Sequence, residues 1–215
     1  MFNYLRIKRI IDFTVSLLAL LLCGPILIGI GIFLFFFNNG NVFFTQMRPG
    51  KNEKIFRLIK FQTMNDKKDS FGNLLPDDKR ITSIGNFLRK TSLDELPQIF
   101  NVLFGNMSLI GPRPLLISYL PLYNENQRKR HILSPGITGW AQVNGRNKVN
   151  WTDKFEMDIW YTEHVSASLD LKIIALTMVK VITGNGVSGF SSATMEPFLG
   201  NLQNQSTLNE FSSHS

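Results

Sequence analysis

One cysteine in 215 residues, Cys23, excludes an internal disulfide framework, and its place inside an apolar run makes it a small buried residue. The three histidines, His131, His164 and His214, are too scattered to form a metal motif. No G-x-x-x-x-G-K-[ST] occurs, so P-loop nucleotide binding has no sequence basis. Acid is also scarce: 16 Asp and Glu stand against 23 Lys and Arg, a formal net charge of +7. That balance leaves three classes of partner: nucleic acid, an anionic membrane surface, and phosphate-bearing substrates. The basic residues are not interleaved with exposed aromatics, which sets nucleic acid aside. The 18 Phe, gathered partly at the N-terminus, favour the membrane. The length suits one compact domain with an appendage.

What is present begins with an apolar run from Ile10 to Phe37, broken only by Asp12, Thr14 and Ser16. At about 28 residues it exceeds both the roughly 20 needed to cross a bilayer and the apolar core of a cleaved signal. Gly24-Pro25 near its middle predicts a kink, because proline removes a helix donor and crowds the preceding turn. Each half is then roughly 20 Å long, too short to cross alone. Cations lie on both flanks: Arg6, Lys8 and Arg9 before the run, and Arg48, Lys51, Lys54, Arg57 and Lys60 after it. Both flanks therefore prefer the cytoplasmic side. Two readings stand on these residues: a kinked span, or a re-entrant helix that enters and leaves one leaflet with Asp12 at headgroup level.

Val42 to Met47 and Ile55 to Met64, joined by Arg48-Pro-Gly-Lys-Asn, read as a β-hairpin that presents Lys60 near a partly apolar surface. Asn65 to Lys79 reads as a polar loop with solvated acids. Ile81 to Lys90 and Leu96 to Phe104 have helical periodicity, and Thr91-Ser-Leu-Asp-Glu-Leu-Pro lies between them. Ser118 to His131 reads as a polar helix whose Arg128, Lys129 and Arg130 form a solvated or membrane-surface face. Trp151 to His164 is a helix with Trp151, Phe155 and Ile159 on one face, and Leu169 to Thr183 is an apolar helix. The divisions expected are a membrane helix over 1–40, a catalytic domain over 41–190, and a polar, poorly ordered tail over 191–215.

Asp94 and Glu95 admit a purely structural reading, since Ser92 with Glu95 three residues on has the spacing of a capping box. Their surroundings offer a chemical one. Arg89-Lys90 precede them across the break, and Gly111-Pro-Arg-Pro holds Arg113 between two prolines, either as a rigid surface arginine or as an aimed phosphate donor. Ser134 to Asn147, with three glycines, a tryptophan and an arginine, reads as a binding loop. Phosphoryl transfer needs positioning and charge neutralisation, and two neighbouring acids can divide the work of nucleophile and Mg²⁺ ligand.

Four stretches now carry a resemblance: Lys60-Phe-Gln-Thr-Met, Leu88-Arg-Lys-Thr-Ser-Leu-Asp-Glu-Leu-Pro-Gln, Ser108-Leu-Ile-Gly-Pro-Arg-Pro and Pro135-Gly-Ile-Thr-Gly-Trp-Ala-Gln-Val-Asn-Gly-Arg-Asn. In this order and spacing, over about residues 1–190, the chain resembles the bacterial sugar transferases, in particular the small monotopic phosphoglycosyl transferases. The resemblance implies an α+β, mostly helical fold: a re-entrant helix broken at Gly24-Pro25, a small β-hairpin and amphipathic interfacial helices. It implies transfer of a sugar 1-phosphate from a UDP-sugar to undecaprenyl phosphate, with Mg²⁺, releasing UMP. By the motif match Asp94 is the nucleophile and Glu95 the metal ligand, Asp94 standing as the second candidate ligand. Lys60, Arg89, Arg113 and Arg146 are then the phosphate and nucleotide cations, with Gln142 and Asp170 as further substrate contacts. Gly24 where relatives often have serine, and Gln62 where they often have arginine, are departures from the pattern. The place implied is the cytoplasmic face of the bacterial inner membrane, at the first step of O-antigen, capsule, exopolysaccharide or glycoprotein glycan assembly, ahead of downstream glycosyltransferases. The competing class is a non-enzymatic adaptor whose basic surface only binds anionic lipid.

Overall fold

The computed structural model describes residues 2–145, 150–183 and 197–201, and is mostly helical. Helix α1 (Phe2–Phe37) is one uninterrupted helical segment through Gly24-Pro25. At 36 residues it is about 54 Å long. It is the one described helix long and apolar enough to cross a membrane.

Its pattern is inverted relative to a soluble helix. Lys8, Asp12 and Ser16, spaced at i, i+4 and i+8, are buried, whereas Leu21, Leu22 and Phe36 are among many exposed apolar residues. The polar stripe faces protein. Asp12 accepts hydrogen bonds from Ser108 Oγ (2.7 Å) and Leu109 N (3.1 Å), so it is buried against the domain. Arg9 donates to the carbonyls of Val102 and Leu103, satisfying a helix C-terminus. Further along, Leu27, Ile30 and Leu34 pack on Phe61 and Leu88. Both ends of α1 thus touch the same domain.

The hairpin expected from the sequence is present. β1 (Phe43–Pro49) pairs antiparallel with β2 (Ile55–Phe61), Phe43 opposite Phe61 and Pro49 opposite Ile55. After a loop come α2 (Asp77–Arg80) and α3 (Ser83–Lys90), whose cap is Thr82 accepting from Gly85 N at 2.9 Å. Then follow α4 (Gln98–Leu103) and β3 (Ser108–Ile110).

The polar helix expected over 118–131 is absent. Pro121 lies in a 3-10 segment, Ile117–Leu122, and Asn124 with Gln127 forms a capping box that restarts the chain as α5 (Glu125–Arg128). β4 (Gly136–Thr138) pairs parallel with β3, and α6 (Trp140–Asn144) follows, so much of the expected binding loop is regular structure. This pairing brings Gly111 against Gly136, where a Cβ on the latter would stand 2.1 Å from Gly111 N. Only glycine fits that crossing. α7 (Trp151–His164) and α8 (Ala167–Thr183) complete the described helices. Of the expected tail, residues 197–201 are described, and there Phe198 is 2% exposed among Tyr119, Tyr123 and Phe155.

His131 is buried with Nδ1 3.2 Å from Gly50 O, and burial, followed by the Arg130 charge, pushes its pKa from 6.5 down to about 4. The folded chain therefore binds this proton later than the unfolded chain. Stability is expected to fall by about 3 kcal/mol as pH drops from about 6.5 to 4, with no further loss from this group below that. Unfolding midpoints in detergent micelles across that range check it, and His131→Gln should flatten the slope.

Candidate active site

The turn between α3 and α4 is built differently from the sequence expectation. α3 ends on Arg89-Lys90, and Ser92 then takes a left-handed backbone conformation (φ 57°) before a 3-10 turn, Leu93–Glu95. For a residue with a Cβ that conformation costs of order 1–3 kcal/mol and is usually held by its surroundings. The Ser92 side chain makes no capping bond, so the capping box does not form. The reason is visible at Glu95, whose carboxylate is drawn to two cations instead.

Lys60 Nζ from β2 lies 2.5 Å from Glu95 Oε1, and Arg113 Nη2, from the turn after β3, lies 2.6 Å from the same atom. Arg113 Nη1 is 3.5 Å from Oε2. Burial alone would raise the Glu95 pKa, but Arg113 and Lys60 outweigh it and hold it at about 2. Asp94, next in the chain, is only 9% exposed and has no hydrogen-bond or ion-pair partner among the described residues. Burial, then the Glu95 charge, pushes its carboxyl above the usual range, with Lys60, Arg89 and Arg113 opposing. Two adjacent acids are thus driven apart: one a fixed, neutralised anion, the other an uncommitted carboxylate facing cations.

The cations are themselves positioned. Arg89 Nε donates to Thr63 Oγ1 at 3.0 Å, setting the guanidinium beside the turn. Lys60 is pushed down by burial and by Arg113, with Glu95 opposing. Gln62 donates to Met64 O at 2.7 Å within the same strand exit. The Arg113 carbonyl accepts a 2.7 Å bond from Arg130 Nη2, and Arg130 is paired with Asp158 of α7 at 2.6 Å. Those two side chains are 1% and 2% exposed, so Arg130 is an internal strut rather than part of a solvated face. Sequence reasoning missed it. The available signal was Asp158, an acid between Phe155 and Ile159 on an apolar helix face, which requires a buried partner. Lys154, also missed, sits 4.7 Å over the Trp151 ring. Burial, together with Arg113 and Arg130, pushes it down to about 8.

Lys60, Arg89, Asp94, Glu95 and Arg113 are therefore one cluster. Gln142 is placed otherwise, its amide donating to Ile137 O at 2.9 Å within its own loop. Asp170 joins elements instead: Lys8 and Tyr4 meet its Oδ2 at 2.6 Å each, and Tyr161 OH meets Oδ1 at 2.7 Å, tying α1 to α7 and α8. Arg146 lies outside the described residues.

Whether this cluster suits a divalent cation follows from its oxygens. Among the described residues Glu95 Oε2 has only a 3.5 Å contact and Asp94 has none, which leaves two carboxylates with free coordination capacity beside Lys60 and Arg113. Mg²⁺ takes one or two carboxylates and completes its shell with phosphate and water, so the donor set fits.

Residues 3–184 match the bacterial sugar transferase family. The chain belongs to that family. This sugar transferase is 51% identical over 195 residues to the uncharacterized sugar transferase EpsL of Bacillus subtilis (strain 168), covering 90% of this chain and 96% of that protein. It is 40% identical over 186 residues to a UDP-glucose:undecaprenyl-phosphate glucose-1-phosphate transferase of Escherichia coli (strain K12), covering 81% and 40%. With a UDP-N-acetylgalactosamine-undecaprenyl-phosphate N-acetylgalactosaminephosphotransferase of Aeromonas hydrophila it shares 36% over 191 residues, covering 85% and 45%. The sugar transferase chain thus spans nearly all of EpsL and less than half of each of the other two.

Proposed function

We propose that this sugar transferase moves a sugar 1-phosphate from a UDP-sugar to undecaprenyl phosphate at the cytoplasmic face of the bacterial inner membrane. The observation that carries this reading is that Lys60 and Arg113 clamp Glu95 while the buried Asp94 beside it has no ion-pair or hydrogen-bond partner among the described residues. The reactions named for the Escherichia coli and Aeromonas relatives support it.

In the first step an Asp94 carboxylate oxygen attacks the sugar-bearing phosphorus. A new Asp94–phosphorus bond forms, the bond to the bridging oxygen breaks, and UMP leaves with that oxygen and its electron pair. In the second, a phosphate oxygen of the acceptor attacks the same phosphorus and displaces Asp94 as a free carboxylate. Arg113, Lys60 and Arg89 neutralise charge on the non-bridging oxygens, and Glu95 keeps Lys60 and Arg113 aligned before substrate arrives. Glu95 and Asp94 would hold a Mg²⁺ ion, which would supply Lewis-acid stabilisation of the developing charge.

A soluble donor and a lipid acceptor must meet at the membrane boundary. Contacts between one domain and both ends of α1 favour the re-entrant arrangement, because a straight span would carry one end away to the far side. Helix α8 also exposes apolar residues, Leu171, Met178 and Ile182, as a helix lying at a lipid boundary does.

The test is a panel of UDP-sugars with undecaprenyl phosphate, scored by UMP release. One sugar should support turnover that chelation abolishes and Mg²⁺ restores. Indifference to every sugar and to chelator would establish the adaptor reading instead.

A further inference from the structure

Between the second half of α1 and α3 lies a groove of about 460 Å³, walled by Gly29, Ile30 and Phe33 on one side and by Ile84, Phe87 and Leu88 on the other. It is an apolar recess outside the ionic cluster, within the usual size of a small-molecule site, about 300–1,000 Å³. The groove is open beside Gly29: no heavy atom lies within 4 Å of where a Cβ would stand there. Glycine weakens a helix relative to alanine, so a glycine here gives up helix stability and leaves room.

The groove connects two environments. At its outer side α1 presents Ile26, Ile28, Ile32 and Phe36, all exposed, and Phe87 of α3 is 58% exposed. At its inner side Leu88 is buried with Leu34 and Phe61 and packs against Leu93. Leu93 opens the turn that carries Asp94, and Arg89 follows Leu88 in α3, so the buried side of the groove borders the turn that holds the acid pair. A peptide laid against such walls would leave backbone donors and acceptors unpaired, and a nucleotide would leave its polar edges unpaired. A long hydrocarbon with one anionic end matches both the apolar walls and the cations at the inner end.

We infer that this groove seats the isoprenoid chain of the acceptor lipid and delivers its phosphate to the Arg89 and Asp94 side of the cluster. The inference rests on the reaction proposed above and adds the place where the acceptor lies. It predicts that acceptor use depends on chain length through Gly29, Ile84 and Phe87, none of which makes an ion pair or hydrogen bond in the ionic cluster.

Gly29→Leu fills the groove from a helical position with open space beside it. In this variant, exchange of labelled UMP into UDP-sugar without acceptor should be unchanged. The KM for a long-chain polyprenyl phosphate should rise about tenfold or more, with little change for a short-chain isoprenoid phosphate. An unchanged KM for the long chain, an equal loss with the short one, or a matching loss of exchange would each overturn the groove assignment. Absence of exchange in the unmodified enzyme would instead sink the covalent reaction. Independently of any variant, a polyprenyl phosphate carrying a diazirine in its tail should label residues 26–33 and 83–88 of the unmodified protein in nanodiscs. Excess unmodified polyprenyl phosphate should suppress that labelling, and excess phosphatidylglycerol should not. Labelling elsewhere, or suppression by phosphatidylglycerol, would show the groove to be general lipid surface.

Discussion

Asp94→Asn is expected to lower turnover by at least about 10³-fold while leaving the melting temperature unchanged or slightly raised. The two halves of that outcome have one cause. Asp94 is buried without a hydrogen-bond or ion-pair partner among the described residues, and its carboxyl is pushed above the ordinary 3.8 by burial and by Glu95. A raised value means that folding disfavours the charged form, so at neutral pH this carboxylate costs stability. The neutral isostere removes that cost together with the attacking oxygen. The same shift sets the acid limb of kcat/KM: activity should fall as pH drops through a value above that of a free aspartate, because the protonated acid cannot attack. Glu95→Gln should behave oppositely, losing stability as well as activity, since Lys60 and Arg113 would keep their charges without their anion. Parallel melting and UMP-release measurements on the two variants separate the roles. Wild-type turnover in Asp94→Asn would remove the nucleophile from the account.

The second large effect is expected at the Arg130–Asp158 strut. Removing one partner of a buried ion pair typically costs about 3–5 kcal/mol, because the other charge is left without compensation. Arg130→Ala or Asp158→Ala should therefore destabilise the protein by about that much in denaturant unfolding. The pair also holds the Arg113 carbonyl, which a stability measurement alone would not register. An Arg130→Met, Asp158→Leu double variant addresses this. Two apolar side chains of similar size restore packing and much of the stability, but they donate nothing to Arg113. Its stability should recover while the KM for UDP-sugar stays high. Recovery of both would make the strut a packing element with no positioning role.

Several parts of the fold were legible because local chemistry decides them. The hairpin follows from alternating apolar strands around Pro49-Gly50, and α3, α7 and α8 follow from apolar periodicity with cations at α3's end. Lys60, Arg89, Asp94, Glu95 and Arg113 were found on their motifs and meet in space. Other readings failed where a long-range partner outweighed a local rule. The Ser92–Glu95 spacing permits a capping box, yet two cations from β2 and the Gly-Pro-Arg-Pro turn draw the glutamate away. The Arg128-Lys-Arg run looks like a solvated face, yet Asp158, 28 residues on, buries the last of the three.

The sequence by itself determined that this chain carries an apolar run longer than is needed to cross a bilayer, two adjacent acids between helical segments, and cations on the segments around them. Only the tertiary structure decided which acid is clamped and which is left open, that the polar stripe of α1 is an internal seam, and that Arg130 is a strut. The physical reason is one of range. Propensity, capping and hydrophobic period act over a few residues, whereas a carboxylate's charge state depends on whatever the fold brings within a few ångströms of it.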